Sequence, residues 1–472
     1  MEKSAKASGG GFKLNYKLTF IIGFAFFGIL LLWQVYDSWC PTFLTELFKS
    51  KLGITDEKQV QYLVGIMMAI DNVAALILLP IFGNLSDKTK TPIGKRMPYI
   101  LVGTLVCAVA FPFIPVLFHN DNLGGVIALM AVVVLFAMMY RNPAVALMPD
   151  ITPKPLRSKA NGIINIMGYI GGAFATVLGI FFSLSQYLHG DKDGNKTWAT
   201  GNIWAIELPF LIGSVLMVIS AVVLFILVKE NKIRDDMADE LRRGDAVSET
   251  AEAVDDDKPM PKANKIMLIL ILVAEFFWFM ADNGIGTFLN NYVIYGIKGE
   301  SASTMILTIV GGVGSVIGFA LGGIIASKIG RKFTLLGGLG MTLIGYILWI
   351  IFTFTIEFNK EVPFWMYIIW ALKGVGMSLV HVNSFPMVVE LCNSKKIGRF
   401  TGFYYASSMT AQTITPIALG SLLMVPKFDW FLLPIYATIC IAISGIVFLF
   451  VKNVKSTKTE FKKGLEALDQ DD

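Results

Sequence analysis

Five ionisable side chains stand near the middle of long apolar runs: Asp71, Arg141, Glu275, Lys373 and His381. A charge at the centre of a membrane helix costs on the order of 3 kcal/mol on insertion scales, so such residues face a cavity or a partner. Low dielectric drives a carboxyl toward its neutral form, which suits it to load and unload a proton. Histidine titrates near neutrality unaided. Asp71, Glu275, Asp282 and Lys373 are therefore the candidate proton-coupling residues, with Lys373 a partner for Glu275 or Asp282. Arg141 either donates hydrogen bonds to a polar solute or pairs with Asp71 or Glu275 to control proton release. His381 serves equally well as a neutral wall residue.

Glu275, Trp278, Asp282 and Gly286 follow i, i+3, i+7, i+11, and Lys373, Met377, His381 and Ser384 follow i, i+4, i+8, i+11, so each set shares one helix face. Trp33, Tyr36, Tyr140 and Trp278 offer faces for sugar rings, and Gln34, Asn72, Asn142, Asn161, Asn165, Asn283, Asn383 and Gln412 offer paired donors and acceptors for hydroxyls. The candidate substrate-binding set is Trp33, Gln34, Tyr36, Arg141, Asn142, Asn165, Trp278, His381 and Gln412. The competing use of the aromatics is packing between helices or against lipid.

The elements that must position these residues follow from composition. The chain has 472 residues, 55% hydrophobic and 16% charged, with mean hydropathy +0.64, whereas a soluble domain carries about a quarter of its residues charged. At about 20 residues per crossing, the apolar runs predict twelve spans, near 17–40, 61–83, 98–118, 124–149, 160–186, 203–228, 265–289, 302–326, 333–354, 363–390, 400–424 and 429–451. The run from Leu18 is too long for a signal peptide and is expected to remain as the first span. The cysteines Cys40, Cys107, Cys392 and Cys440 form no metal-ligand spacing.

Of the 40 lysines and arginines, 30 fall in segments that one topology places on a single side. The positive-inside rule then puts both termini in the cytoplasm. The net charge of +5 reflects topology, and no basic face with interleaved aromatics suggests nucleic acid. The connection 229–264 carries dense charge of both signs: a surface helix is expected near Asn231 to Arg243 and a flexible stretch from Gly244 to Lys262. The expected organisation is a six-helix unit over 1–228, the linker 229–264, a second unit over 265–451 and a cytoplasmic tail, 452–472.

The halves repeat. Trp33-x3-Asp37-x4-Thr42-Phe43-Leu44 returns as Trp278-x3-Asp282-x4-Thr287-Phe288-Leu289, an offset of 245. Asp150-x11-Gly162 returns as Glu390-x11-Gly402, and Gly83 returns as Gly323, both at 240. At that offset Arg141 matches His381. The loop Gly83, Asp87-Lys88, Gly94-Lys95-Arg96 and its copy Gly323, Lys328, Gly330-Arg331-Lys332 resemble the signature of the major facilitator superfamily, with Ser327 in place of the acid and four extra residues, Lys90 to Ile93, in the first copy. That insertion, Pro98-Tyr99 and Arg141-Asn142-Pro143-x2-Ala146-Leu147-x2-Asp150 resemble the glycoside-pentoside-hexuronide cation symporters and their sucrose-transporter relatives. The paired aspartates that melibiose-type members carry before the loop glycine are replaced by Ala75 and Leu79, which argues against a sodium site there.

The resemblance implies an all-α polytopic membrane protein, twelve helices in two pseudo-symmetric bundles, with the solute site at the midplane between them. It also implies that the loop residues, with Asp150 and Glu390, latch one conformational state through close glycine packing and helix-end charges; the simpler alternative is a basic turn that serves topology alone. The expectation is a monomeric transporter in the cell membrane, with no cofactor and no enzyme activity, coupling a sugar to protons or, alternatively, to sodium. Proton-driven efflux of amphipathic compounds and a non-transporting solute sensor are the competing readings.

Overall fold

The computed structural model describes residues 13–190, 196–197, 203–243, 262–355, 361–391 and 397–452. The expected flexible stretch after Arg243 and the tail after Lys452 lie outside them. Lipid offers backbone amides and carbonyls no partner, so each crossing must satisfy its own hydrogen bonds as a helix. The membrane helices are α1 (Tyr16–Leu52), α2 (Gln61–Lys88), α3 (Met97–His119), α4 (Leu123–Asp150), α5 (Lys154–Phe181), α6 (Trp204–Leu227), α7 (Lys262–Asn291), α8 (Ser301–Ile329), α9 (Arg331–Thr355), α10 (Phe364–Val389), α11 (Ile397–Leu423) and α12 (Leu432–Leu449). α3 breaks at Phe111-Pro112, between Met97–Ala110 and Phe113–His119, because proline lacks the amide that would continue the ladder.

All but α11 are long and apolar enough to cross a membrane. α11 carries Ser407, Ser408, Thr410, Gln412, Thr413 and Thr415. Three of its threonines donate one turn back, to the carbonyls of Ala406, Met409 and Ala411, which keeps their hydroxyls satisfied in the helix. Asn15 caps α1 by accepting the Leu18 amide, and Gly53 ends the helix at φ 65°.

The first six helices and the last six pack in the same pattern. α1 lies against α5 and α6, α3 against α4 and α6, and α2 against α4; likewise α7 lies against α11 and α12, α9 against α10 and α12, and α8 against α10. One apolar core forms around Trp39, Phe43 and Phe210, the other around Trp278, Trp349 and Trp370. Large apolar side chains such as Phe20, Val109, Val316 and Phe354 face outward, as lipid-facing surface does.

Between the halves, α2 meets α11, α5 meets α8 and α1 meets α7. Thr42 Oγ1 donates to Asn291 Oδ1 at 2.7 Å and Tyr295 Oη donates to Glu46 Oε1 at 2.5 Å. Both pairs are 249 residues apart, so equivalent residues face each other across the pseudo-two-fold axis. This register differs from the 245 of the Trp-x3-Asp match by about one helical turn.

Candidate functional site

The bonds joining the halves cluster at the end of the bundle opposite the basic loops. Asn291 Nδ2 donates to Thr45 Oγ1 and Gln61 Oε1, each at 3.1 Å, and Asn290 Nδ2 reaches the Ser38 carbonyl at 3.1 Å. Lys58 pairs with Asp429, and the Trp430 indole donates to Glu57 at 3.0 Å. Gly65 abuts the Pro416 carbonyl and Gly420 the Gln61 carbonyl, so any side chain at either position would collide with backbone. This seam roofs a cavity of about 630 Å³ lined by polar and apolar side chains.

Seven helices contribute to the cavity wall, α8 through Thr304, Met305 and Thr308. α1 contributes Leu30, Trp33, Gln34, Asp37 and Ser38; α2 contributes Met68, Asp71, Asn72 and Ala75; α4 contributes Met138 and Arg141. From the other half come Phe279, Asn283, Gly286, Thr287 and Asn290 on α7, and Tyr404, Tyr405, Ser408, Met409 and Gln412 on α11. His381 of α10 completes the wall, its ring edge-on to Phe279 at 5.5 Å. The Arg141 guanidinium has no hydrogen bond or ion pair among the described residues. The Asp71 carboxylate accepts the Asn72 amide at 2.7 Å.

Of the residues expected from sequence, Trp33, Gln34, Asp71, Asn72, Arg141, Asn283, Gly286, His381 and Gln412 thus share one cavity. The others do not reach it. Tyr36 and Trp278 are fully buried in the two cores, and Asn165 is buried on α5. Asn142 donates to the Leu79 carbonyl of α2 at 2.5 Å, a helix-to-helix bond. Glu275 is 0% exposed with neither carboxylate oxygen hydrogen-bonded. Asp282 and Lys373 pair with each other at 2.5 Å. Arg141 therefore meets no Glu275, and Lys373 takes Asp282 as its partner. Asp37, Tyr404, Tyr405 and Ser408 were not among the expected residues; the i, i+3, i+4, i+7, i+8 pattern of α1 from Leu30 to Ser38 was the available signal.

The basic end holds the loop motif. Buried Arg96 bonds Asp150 at 2.8 Å, and also Asp87 and Ser86, while Lys95 reaches Asp150 at 2.9 Å. The buried carboxylate of Glu230, just after α6, accepts the amides of Lys95, Arg96 and Met97 at 2.9 to 3.2 Å and so caps α3. Asn231 donates to the carbonyls of Thr91 and Pro92, so the four inserted residues seat the start of the linker. Gly94, at φ 117°, leaves room for the Glu230 carboxylate. In the second copy Arg331 pairs with Glu390 at 3.1 Å, Lys332 donates to the Leu449 carbonyl at 2.8 Å, and Gly330 has φ 89°. Burial pushes the Glu390 carboxyl up despite the Arg331 guanidinium. Gly322 abuts α10 there, against Val382. Lys88 and Lys328 are exposed.

Residues 18–359 and 271–469 match the Major Facilitator Superfamily. The chain belongs to that superfamily. It is 26% identical over 368 residues to the raffinose carrier protein of Pediococcus pentosaceus, which covers 71% of this chain but spans only about half, 53%, of that relative. The fold is similar to the POT family transporter PepTSo, with TM-score 0.64, 13% identity, and 92% and 98% of the two chains covered. It is equally similar to a bacterial homologue of the iron transporter ferroportin in an inward-facing state, with TM-score 0.64, 13% identity, and 93% and 99% covered. The superfamily and the apolar helices make this a multi-pass membrane protein. Among the described residues no group of three or more histidine, cysteine or acidic side chains is placed to hold a metal ion.

Proposed function

We propose that this protein is a secondary active transporter that takes up a glycoside or disaccharide together with protons, by alternating access. The observation that carries the reading is the cavity between the halves, where an unpaired Arg141, the amides of Gln34, Asn72, Asn283 and Gln412, and the rings of Trp33, Tyr404 and Tyr405 converge under a closed roof. Sugar rings present apolar faces to stack and hydroxyls to bond, and this wall offers both. The likeness to the raffinose carrier supports the same substrate class. Asp37 and Asp71 are carboxylates within reach of water and solute, as coupling by protons requires, and Ala75 and Leu79 leave no acidic pair on the neighbouring turns of α2.

In this reading residues 1–228 rock against 265–451. The basic end, with both termini, faces the cytoplasm of a cell membrane, and the protein works as a monomer. Four methionines, Met68, Met138, Met305 and Met409, also line the cavity. Their adaptable side chains favour amphipathic cargo as the second reading. The test is uptake into proteoliposomes of radiolabelled sucrose, maltose, melibiose and raffinose, with and without acid-outside and sodium gradients, beside ethidium as an amphipathic probe. Accumulation of one of the sugars under the pH gradient alone is expected. Ethidium flux without sugar flux selects the second reading.

A further inference from the structure

The Trp-x3-Asp pattern occurs twice, and its two aspartates meet different fates. Asp282 on α7 lies 2.5 Å from the Lys373 ammonium of α10, so its charge is balanced inside one bundle. On α4 the position matching Lys373, 240 residues earlier, is Val133, fully buried in the core. In the 249-residue register of the seam Asp37 falls at Gly286 rather than at Asp282, and no lysine pairs with it among the described residues. It lines the cavity and makes no hydrogen bond or ion pair among the described residues.

We propose that Asp37 is the carboxylate that carries the coupling proton, an inference that rests on the symport reading above. The groups facing it from the packed helices are Asp71 of α2, Arg141 of α4, His381 of α10, and Tyr404 and Tyr405 of α11; Tyr36 and Cys40 flank it on α1. α5 and α8 bring no charged side chain to the cavity wall. Beside the His381 imidazole, two carboxylates stand against one guanidinium. One proton restores balance, and a balanced cavity is the one that can close off from water without burying an unpaired charge. Asp71 already accepts the Asn72 amide, a bond that its ionised form keeps. Asp37 has no such donor and is the acceptor left for the proton. The carboxylate takes it from hydronium on the acidic side and returns it to water on the other.

Uptake in proteoliposomes separates coupling from folding and from solute binding, because exchange of labelled against unlabelled sugar needs no net proton movement. Asp37→Asn is expected to lower acid-gradient accumulation at least tenfold while exchange stays within twofold of the unmodified protein. The double substitution Asp282→Asn with Lys373→Met keeps both. Wild-type accumulation by Asp37→Asn, or loss of accumulation with intact exchange in the double variant, overturns the proposal. Dicyclohexylcarbodiimide, which attacks protonated carboxyls, reads the native protein without any variant or solute. An adduct on Asp37 that fades as the pH is raised, found by peptide mass spectrometry, supports the proposal, and an adduct on Asp282 with none on Asp37 overturns it. If no sugar accumulates even in the unmodified protein, the symport reading fails, and the adduct still decides on Asp37.

Discussion

Arg141 enters the cavity from α4 with no carboxylate bound to it, so its five donors are available to a solute. Hydrogen bonds from a charged group contribute about 1.5–3 kcal/mol. Arg141→Gln should therefore weaken sugar binding by roughly ten- to a hundredfold, read by tryptophan fluorescence titration, and Arg141→Lys should not restore it, since lysine lacks the planar fork. Glu275 is the opposite case. Its carboxyl is sealed in the second core with no partner, and an unsatisfied buried polar group costs about 1–3 kcal/mol. Glu275→Met should raise the melting temperature and leave sugar uptake intact; loss of uptake with unchanged stability would show that the carboxyl works in transport. Scarcity of charge made Asp71, Arg141 and His381 legible in the sequence, but on α7 it pointed to the stripe of Glu275, Trp278, Asp282 and Gly286, of which Gly286 lines the cavity. The cavity-facing residues of that helix are Phe279, Asn283, Gly286, Thr287 and Asn290, a face rotated by most of one residue's 100° from the one holding Glu275, Trp278 and Asp282. Periodicity defines a face; only the neighbouring helices say which face is wet.

Among the elements, the loop between α2 and α3 shows how an insertion finds a use. Its glycine sits at φ 117°, where L side chains are strained, and a Cβ there would land on the Glu230 carboxylate that caps α3. Gly94→Ala should lower stability by about 1–3 kcal/mol, seen as a fall in melting temperature. Glu230→Gln, which keeps one acceptor oxygen, should lower it less; equal or reversed effects would mean that the cap does not hold the loop. The helices themselves, their order and the repeat were readable because lipid enforces long apolar runs and internal hydrogen bonding. The Glu230 contact was not, because 134 residues separate it from Arg96 and nothing in a single acidic residue names a distant amide. The offset of α1 against α7 in space also differs from that of the letters: Trp33 and Trp278 match in the sequence, whereas Leu30, Gln34, Asp37 and Ser38 match Phe279, Asn283, Gly286 and Thr287 in facing the cavity.

At the scale of the whole molecule each half has its own core, with Ile294 and Met305 of the second half reaching into the first, and the polar bonds that hold this conformation lie in the seam on the pseudo-two-fold axis. Asn291 makes three bonds across or beside it, accepting from Thr42 and donating to Thr45 and Gln61. Interhelical hydrogen bonds in membranes average about 0.6 kcal/mol each, so replacing Asn291 by leucine removes about 2 kcal/mol from the closed roof, and the Thr42 and Gln61 groups left behind are free to hydrate once it opens. At 1.4 kcal/mol per factor of ten, the ratio of roof-closed to roof-open molecules should fall by roughly thirtyfold. The apolar packing around Gly65 with Pro416 and Gly420 with Gln61 is untouched by that change, so the halves stay folded and only their balance moves. Nitroxides at Leu52 of α1 and Met424 beyond α11, both exposed near the roofed end, report the distance across it. In Asn291→Leu a longer-distance population should grow while the short one shrinks, with the melting temperature little changed. An unaltered distance distribution would mean that the remaining seam contacts, the glycine packing between α2 and α11 among them, keep the roof shut, and Gly65→Leu, which drives a side chain into the Pro416 carbonyl, would then be the change that opens it.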